Sequence, residues 1–528
     1  MKNIIKIHPT SDNMTPIFNK IISDIKNSGL ETVIELEKGD YYFKRSGSEK
    51  MKIFSSGGRS CENFVLFPID GIKNLTIEGN GSQFIYCDRV QPFLIKNSEN
   101  ITLRNFSTEY SFYRYAFAEI ISNNEDGFEV ILNEKEFDYF VEDGFLNFVC
   151  GEDILSTKNR QISVRGFEPV KTGVKFLRVG NSEAPFNGAA PNVYVDAVKT
   201  EKGVFFKFRE ENNCKPEYLK GDIIILSYDG AREAQAFYCE FSKNITLENV
   251  CIHRNGGMGF VADICENIML DKYQILKKEG RKEYFTSTAD GIYLTNCSGD
   301  FTLKNSYISD TYDDAINVHG YYTKIEEVIS PKKVKLSYFH PAHWGLIPCL
   351  VGDKVHISDQ NTLNEECVLE VEDISYDCDR NNIVVSFKEE ANLKVGMLIE
   401  NPDRTPNVLI ENNVIKKSPH MRLSARNMVI KNNYLELENC DIYIHDLIEF
   451  WGESGAIEKV EISGNKFGSS GITNISVNSY RPHDSNRLHE KIIIKDNMFK
   501  NKREKAIEIS FTNDVEESNN VYDADITQ

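Results

Sequence analysis

TADGIYLTNCSGDFTLKNSYISDTYDDAINVHG, residues 288–320, carries one aspartate at Asp290 and an adjacent pair, Asp313 and Asp314, 23 residues further on. Between them lie two short apolar runs, Ile292-Tyr293-Leu294 and Phe301-Thr302-Leu303, separated by the turn-forming Ser298-Gly299-Asp300. That pattern is strand chemistry, not helix chemistry. Twenty-odd residues make one turn of a stacked β-coil, so Asp290 and the Asp313/Asp314 pair are expected on adjacent rungs, about 4.8 Å apart in the stacking direction. Three carboxylates gathered there would repel one another, and a fold tolerates them mainly when they hold a water, a metal or a substrate.

Outward from this stretch a weak repeat runs in both directions. Asn74-Leu-Thr-Ile-Glu-Gly, Asn100-Ile-Thr-Leu-Arg-Asn, Asn244-Ile-Thr-Leu-Glu-Asn and Asn267-Ile-Met-Leu-Asp share one pattern. It resumes in Phe301-Thr-Leu-Lys-Asn, Asn407-Val-Leu-Ile-Glu-Asn, Asn427-Met-Val-Ile-Lys-Asn, Val460-Glu-Ile-Ser-Gly and Ile492-Ile-Ile-Lys-Asp-Asn. Undisturbed steps are 26 residues (74 to 100), 23 (244 to 267) and 20 (407 to 427). These are rung lengths of a parallel β-helix, with apolar side chains stacked inward and Asn at corners, where left-handed backbone angles cost little. The fold class expected is all-β, a right-handed parallel β-helix (solenoid) with two inserted small β-barrel domains and a short N-terminal helical cap.

The cap is read from Thr15-Pro16, an N-cap followed by Pro at the first helical position, with Ile17, Ile21, Ile22 and Ile25 at helical spacing until Gly29. A solenoid needs such a cap because its first rung would otherwise expose an apolar cross-section. Two β-rich stretches without the Asn signature interrupt the repeat, and each contains a Gly-Asp turn (Gly221-Asp, Gly352-Asp) opening an apolar strand. The expected divisions are therefore 1–121 (cap and first rungs), 122–232 (first barrel insert), 233–321 (central β-helix with the aspartates), 322–403 (second barrel insert) and 404–528 (C-terminal rungs). The second insert leaves the coil directly after Gly320 and should stand beside the aspartates.

At 528 residues, with 41% hydrophobic and 27% charged content, the chain has the composition of a soluble globular protein or a one-dimensional repeat. It lacks a run of eighteen apolar residues, so no transmembrane helix is expected. Its formal charge of −19, from 80 acidic against 61 basic residues, opposes binding to nucleic-acid backbones or anionic membranes. The twelve cysteines include no Cys-x-x-Cys pair and sit mostly beside apolar runs, as reduced, buried thiols do. Met1-Lys-Asn-Ile-Ile-Lys-Ile-His is too short and too polar for a secretory apolar region, which gives the expectation of a cytoplasmic protein, or of a secreted one if a leader was removed. An acidic solenoid with long exposed turns could pair through a flank as a homodimer.

Opposed residues on neighbouring strands have Cβ atoms about 5 Å apart and diagonal ones about 7 to 8 Å. An inverting glycosidase needs its two carboxyl groups about 6.5 to 9.5 Å apart and a retaining one about 5 Å; the diagonal arrangement suits inversion, the direct one retention or two carboxylates jointly holding one water, so spacing alone leaves the stereochemistry open. Asn317 and His319, beside the aspartate pair, are candidates for lining the groove. Arg254 and Asn255 precede glycines that let backbone approach a ligand closely. Trp344 offers a platform for the apolar face of a sugar, whereas His340 and His343 lack the further ligand that a zinc site would need. His445, Asp446, Glu449 and Trp451, on a later rung or its turn, could contribute a wall.

The repeat, the two inserts, Ala289-Asp290-Gly291, Tyr312-Asp-Asp-Ala-Ile-Asn-Val-His-Gly320 and the upstream Asn255-Gly-Gly-Met-Gly-Phe260 together resemble glycoside hydrolase family 110. The likeness covers nearly the whole chain. It implies an exo-acting α-1,3-galactosidase, active on terminal α-galactose of blood group B-type and related glycans, inverting and without metal or other cofactor. Carried onto this chain, the resemblance makes Asp313 the general acid, while Asp290 and Asp314 hold and deprotonate the water. Two anions beside Asp313 would favour its protonated form. One departure is the sequence around Asp290, Thr286-Ser-Thr-Ala-Asp-Gly-Ile-Tyr, where better-known members have an aromatic residue or histidine closer after the aspartate.

Three other readings compete. A polygalacturonase-like hydrolase would meet its polyuronide with a basic groove, yet residues 286–320 hold Lys304 and no Arg. A β-helix lyase or epimerase would need a Lys, Arg or His base beside a cation. A non-catalytic glycan-binding β-helix would keep sugar affinity and release no product.

Overall fold

The structure, a computed structural model, describes residues 2–526 apart from 27, 58–60, 157–160, 164, 168–175, 180–191, 211–219, 228–233, 447–450, 470–472 and 480–488. The chain forms two compact units. One comprises Met1–Phe84, Val90–Glu109 and Arg232–Gln528, and the other Ile85–Arg89 with Tyr110–Ala231.

The first unit is a parallel β-helix. Each copy of the repeat supplies a strand, and the strands pair in parallel register from Glu31–Leu36 through Lys73–Tyr86, Glu99–Tyr110, Lys243–Arg254, Glu266–Asp271 and Ser298–Lys304. The series continues through Asn407–Glu411, Asn427–Lys431, Lys459–Ser463 and His489–Lys495 to Thr512–Ser518. Both interruptions are bridged by direct pairing: Ile101 faces Ile245 across the first and Phe301 faces Val408 across the second. The inserts therefore leave and re-enter between neighbouring rungs without breaking the stack.

One inward column shows what drives the coil. Leu103, Leu247, Leu270, Leu303, Ile410, Ile430, Ile462 and Ile494 follow one another in register, all fully buried. Burying each such side chain stabilises the fold by about 2 kcal/mol. At one corner Asn74, Asn100, Asn244 and Asn267 adopt φ between 55° and 59°, and the amides of the last three each donate to the side-chain carbonyl of the preceding Asn at 2.8 to 3.0 Å. A second asparagine ladder was not anticipated. Asn413, Asn433, Asn465, Asn497 and Asn520 are linked amide to carbonyl at 2.9 to 3.1 Å, the first four of them buried.

The N-terminal helix, Thr15–Ile25, buries Phe18, Ile22 and Ile25 and sets Phe18 edge-on to Phe43 and Phe67, with centroids at 5.4 and 5.1 Å. Its N-cap is Met14 and not Thr15, and Asn13 Oδ1 accepts the Thr15 N–H at 3.1 Å. The asparagine, one turn residue earlier, supplies the acceptor that the threonine was expected to give. Pro16 does fall in the first turn.

Directly after the strand Ile316–Tyr321, the strands Thr323–Ser330, Lys333–Tyr338, Lys354–Ser358, Glu365–Ser375, Ile383–Phe387 and Leu398–Glu400 close into a barrel around Val334, Val355, Leu369 and Val385. In the other unit the described strands form an eight-stranded sheet and a separate three-stranded one, with no closed barrel among the described residues. The strand Phe176–Val179 there pairs parallel with Ile223–Ser227, between antiparallel neighbours.

Candidate active site

The aspartates stand at the leading edge of a second face of the coil, where Phe260–Asp263, Ile292–Thr295, Ile316–Tyr321, His420–Ser424 and Cys440–Asp446 pair in parallel. The Gly259 N–H donates to Asp290 O at 3.0 Å and the Gly291 N–H to Asp314 O at 2.9 Å, so Asp290 and Asp314 occupy equivalent places on adjacent rungs. Gly291 is needed for this. A Cβ there would come within 2.6 Å of the Ala315 carbonyl oxygen, which explains glycine directly after the first aspartate.

Asp290, Asp313 and Asp314 each present a carboxylate oxygen, and these oxygens all lie within 4.8 Å of one another. Asp290 and Asp314 are buried and Asp313 is half-buried. Asp290 Oδ1 accepts the Asp314 N–H at 3.0 Å, and His420 Nε2 stands 2.9 Å from Asp314 Oδ1. Thr311 Oγ1 donates to the Asp313 backbone carbonyl at 2.7 Å, fixing the turn that carries the pair. The arrangement can position a water between two carboxylates and present a third to a leaving oxygen.

Outward positions on the same strands form the neighbouring wall. Tyr293, Asn317, Arg422 and Tyr443 follow one another in register. His319 is fully buried. Its Nδ1 lies 2.6 Å from Gly320 O, which can only accept, so the proton sits on Nδ1 and Nε2 accepts from the Tyr293 hydroxyl at 3.0 Å. Burial lowers the His319 pKa and favours the neutral ring. A two-residue strand, Glu453–Ser454, pairs antiparallel with Gly320–Tyr321 and brings Glu453 to 2.5 Å from Arg422 and 3.6 Å from His319. Burial alone would push the Glu453 carboxyl up, but the Arg422 guanidinium together with the neighbouring His319 and His343 holds the group below the usual carboxylate range.

Asn317 lies in this wall with its Oδ1 buried and without a hydrogen-bond partner. Other expected residues sit elsewhere or serve the scaffold. Arg254 donates from Nε to Glu283 at 3.0 Å within a buried ion pair. Asn255 donates to the carbonyls of Gly257 (3.1 Å) and Met258 and accepts the Gly256 N–H at 2.7 Å, so it shapes the glycine turn and keeps no amide proton for a ligand. Trp344 is 54% exposed. Trp451 packs on His340 with centroids 4.0 Å apart, His445 stacks on Tyr443, and Asp446 accepts from the Tyr322 hydroxyl at 3.1 Å. Glu449 lies outside the described residues.

Sequence reading missed Tyr293, His420, Arg422 and Glu453. The available signal was the register: Tyr293 and Asn317 both follow an aspartate by three residues, and Met421-Arg-Leu-Ser424 repeats the strand alternation of Ile316-Asn-Val-His319.

No family model matches the chain. Curated relatives do. Alpha-1,3-galactosidase B of Phocaeicola vulgatus is 26% identical over 545 residues, covering 94% of this chain and 85% of the relative. Alpha-1,3-galactosidase A of Shewanella woodyi is 26% identical over 473 residues, covering 87% of this chain and 74% of the relative. Among solved structures, the polygalacturonase of Erwinia carotovora ssp. carotovora covers 97% of this chain and 96% of its own at 9% identity, with a TM-score of 0.37. The similarity to the two galactosidases, running through most of the coil, supports a glycoside hydrolase.

Proposed function

We propose that the protein removes terminal α-1,3-linked galactose from B-type or linear α-galactosyl glycans with inversion at the anomeric carbon. The carboxylate oxygens lie within 4.8 Å of one another, closer than the separation of about 6.5 to 9.5 Å of a simple inverting pair, so this reading takes inversion from two of the three carboxylates jointly holding one water. The observation that carries this reading is the cluster of Asp290, Asp313 and Asp314 on adjacent rungs of a chain similar over most of its length to proteins named alpha-1,3-galactosidase.

Asp290 and Asp314 serve as acceptors, Asp290 from the Asp314 N–H and Asp314 with His420 Nε2 alongside. Together they hold a water and take its proton as its oxygen attacks the anomeric carbon. Asp313, the more exposed of the three, protonates the glycosidic oxygen as the C–O bond breaks. Galactose leaves as the β-anomer and the aglycone as an alcohol, and the proton lost by Asp313 is regained from the water. The handedness of the coil belongs to the same reading: right-handed, as connections between parallel strands nearly always are.

Asp313→Asn, assayed on Galα1-3Gal, should lower kcat by roughly 10²- to 10⁴-fold. Binding of the substrate to the variant, followed by saturation-transfer NMR, should persist. Full turnover in Asp313→Asn would remove the acid from this scheme, and absence of turnover in the wild-type protein would favour a glycan-binding role.

A further inference from the structure

The wall beside the aspartates contains polar atoms that the fold buries and leaves without partners. Arg422 is 6% exposed, and its Nε has no hydrogen-bond partner although another of its nitrogens meets Glu453 at 2.5 Å. Asn317 Oδ1, in register with Arg422, is in the same state. So are the Tyr321 hydroxyl and both ring nitrogens of His343, whose rings stack at 5.7 Å. Each such atom would cost about 1 to 3 kcal/mol if left unmet. Asn317 and Tyr321 lie on the strand that follows Asp314, Arg422 on the strand of the next rung and His343 in the adjoining insert, and this grouping marks where a ligand's hydroxyls belong.

We propose that Arg422 and Asn317 bind hydroxyls of the terminal sugar, and that the Glu453 carboxylate neutralises Arg422 so that the subsite accepts a neutral galactose and rejects a galacturonate. This rests on the galactosidase reading and adds the source of its selectivity. The charge balance is local. Arg422 is the cation of this wall and Glu453 its anion, while His319 and His343 are buried neutral rings, His343 with its pKa lowered by burial to about 3. A uronate carboxylate placed here would face Asp290, Asp313, Asp314 and Glu453, and among the described residues of this wall no cation is left unneutralised to meet it. Neutral hydroxyls can take the Arg422 Nε–H and donate to Asn317 Oδ1 without adding charge. Without Glu453, the guanidinium fork would be available to a carboxylate.

Titrations with galactose and with galacturonate, followed by saturation-transfer NMR at pH 7, test this. Wild-type protein should bind galactose roughly tenfold or more tightly than galacturonate. Glu453→Gln should raise the galacturonate-to-galactose affinity ratio by roughly tenfold or more, and Asn317→Ala should weaken galactose binding while leaving that ratio unchanged. Wild-type affinity for galacturonate equal to or above that for galactose overturns the proposal without any variant, so a Glu453→Gln chain that fails to fold does not shelter it. A folded Glu453→Gln with an unmoved ratio overturns it as well. If the wild-type protein hydrolyses α-galactosides in either of those cases, the galactosidase reading survives; if it neither hydrolyses them nor binds galactose, both fall.

Discussion

At the level of single residues, the proposed roles make Asp290 and Asp314 acceptors and Asp313 the group that gives a proton. The Asp314 N–H reaches Asp290 and His420 reaches Asp314, whereas Asp313 sits at the more open edge. Three carboxylates at this separation could also ligate a divalent cation, so removal of metal is informative. Turnover should survive exhaustive chelation, as measured by galactose release in EDTA. Loss of activity restored by calcium would point instead to lyase or epimerase chemistry. Asp290, Asp313 and Asp314 were legible in the sequence because a 23-residue separation matches one rung. Arg422 and Glu453 were not, because the rung after Asp314 lies beyond the whole second insert, and Glu453 reaches the site through a two-residue antiparallel strand that no repeat encodes.

Within elements, stability resides in ladders. The repeated Asn-x-Thr pattern exposed the corner ladder, since left-handed φ selects asparagine. The buried ladder escaped notice because Asn413, Asn433, Asn465 and Asn497 read as turn residues until the coil turns their amides inward. Asn465 donates to Ile430 O at 2.8 Å and to Asn497, and its Oδ1 accepts the Asn433 N–H and amide. Replacing it with Ala leaves buried backbone and amide groups unmet, and chemical denaturation should show a loss of about 2 to 4 kcal/mol. The segment before residues 58–60 is tied to the coil by Asp263, at the end of the strand Phe260–Asp263, which accepts from Ser56 N at 3.2 Å and from the Ser56 hydroxyl. Burial pushes the Asp263 carboxyl up to about 7 from an ordinary 3.8. Between those pH values the folded chain keeps a proton that the unfolded chain has released, so this group's contribution falls as pH rises through the window. Asp263→Asn should therefore gain stability relative to wild type on going from pH 5 to pH 8, read as the difference in Tm; a difference independent of pH would contradict the assignment.

For the whole molecule, the two inserts differ in how far their sequence revealed them. The one between Gly320 and the Asn407 rung closes its own barrel, with strands of alternating buried residues such as Val355 and Ile357 or Val385 and Phe387. Its Arg380 pairs with Glu240 of the coil, and its Tyr338 donates to Leu346 O at 2.5 Å near the stretch that carries His343 and Trp344. The other forms open sheets among its described residues, because a parallel pair interrupts the antiparallel order that a simple barrel pattern assumes. The coil itself was readable throughout, since each rung repeats one inward column. The coil is proposed to position three aspartates for inverting hydrolysis of an α-1,3-galactoside. Proton NMR of the wild-type protein with Galα1-3Gal and with the fucosylated B trisaccharide, following anomeric signals before mutarotation, tests it most directly. β-Galactose is expected as the first product from at least one substrate; first-formed α-galactose would contradict the roles given to Asp290, Asp313 and Asp314, and no release from either would contradict the substrate.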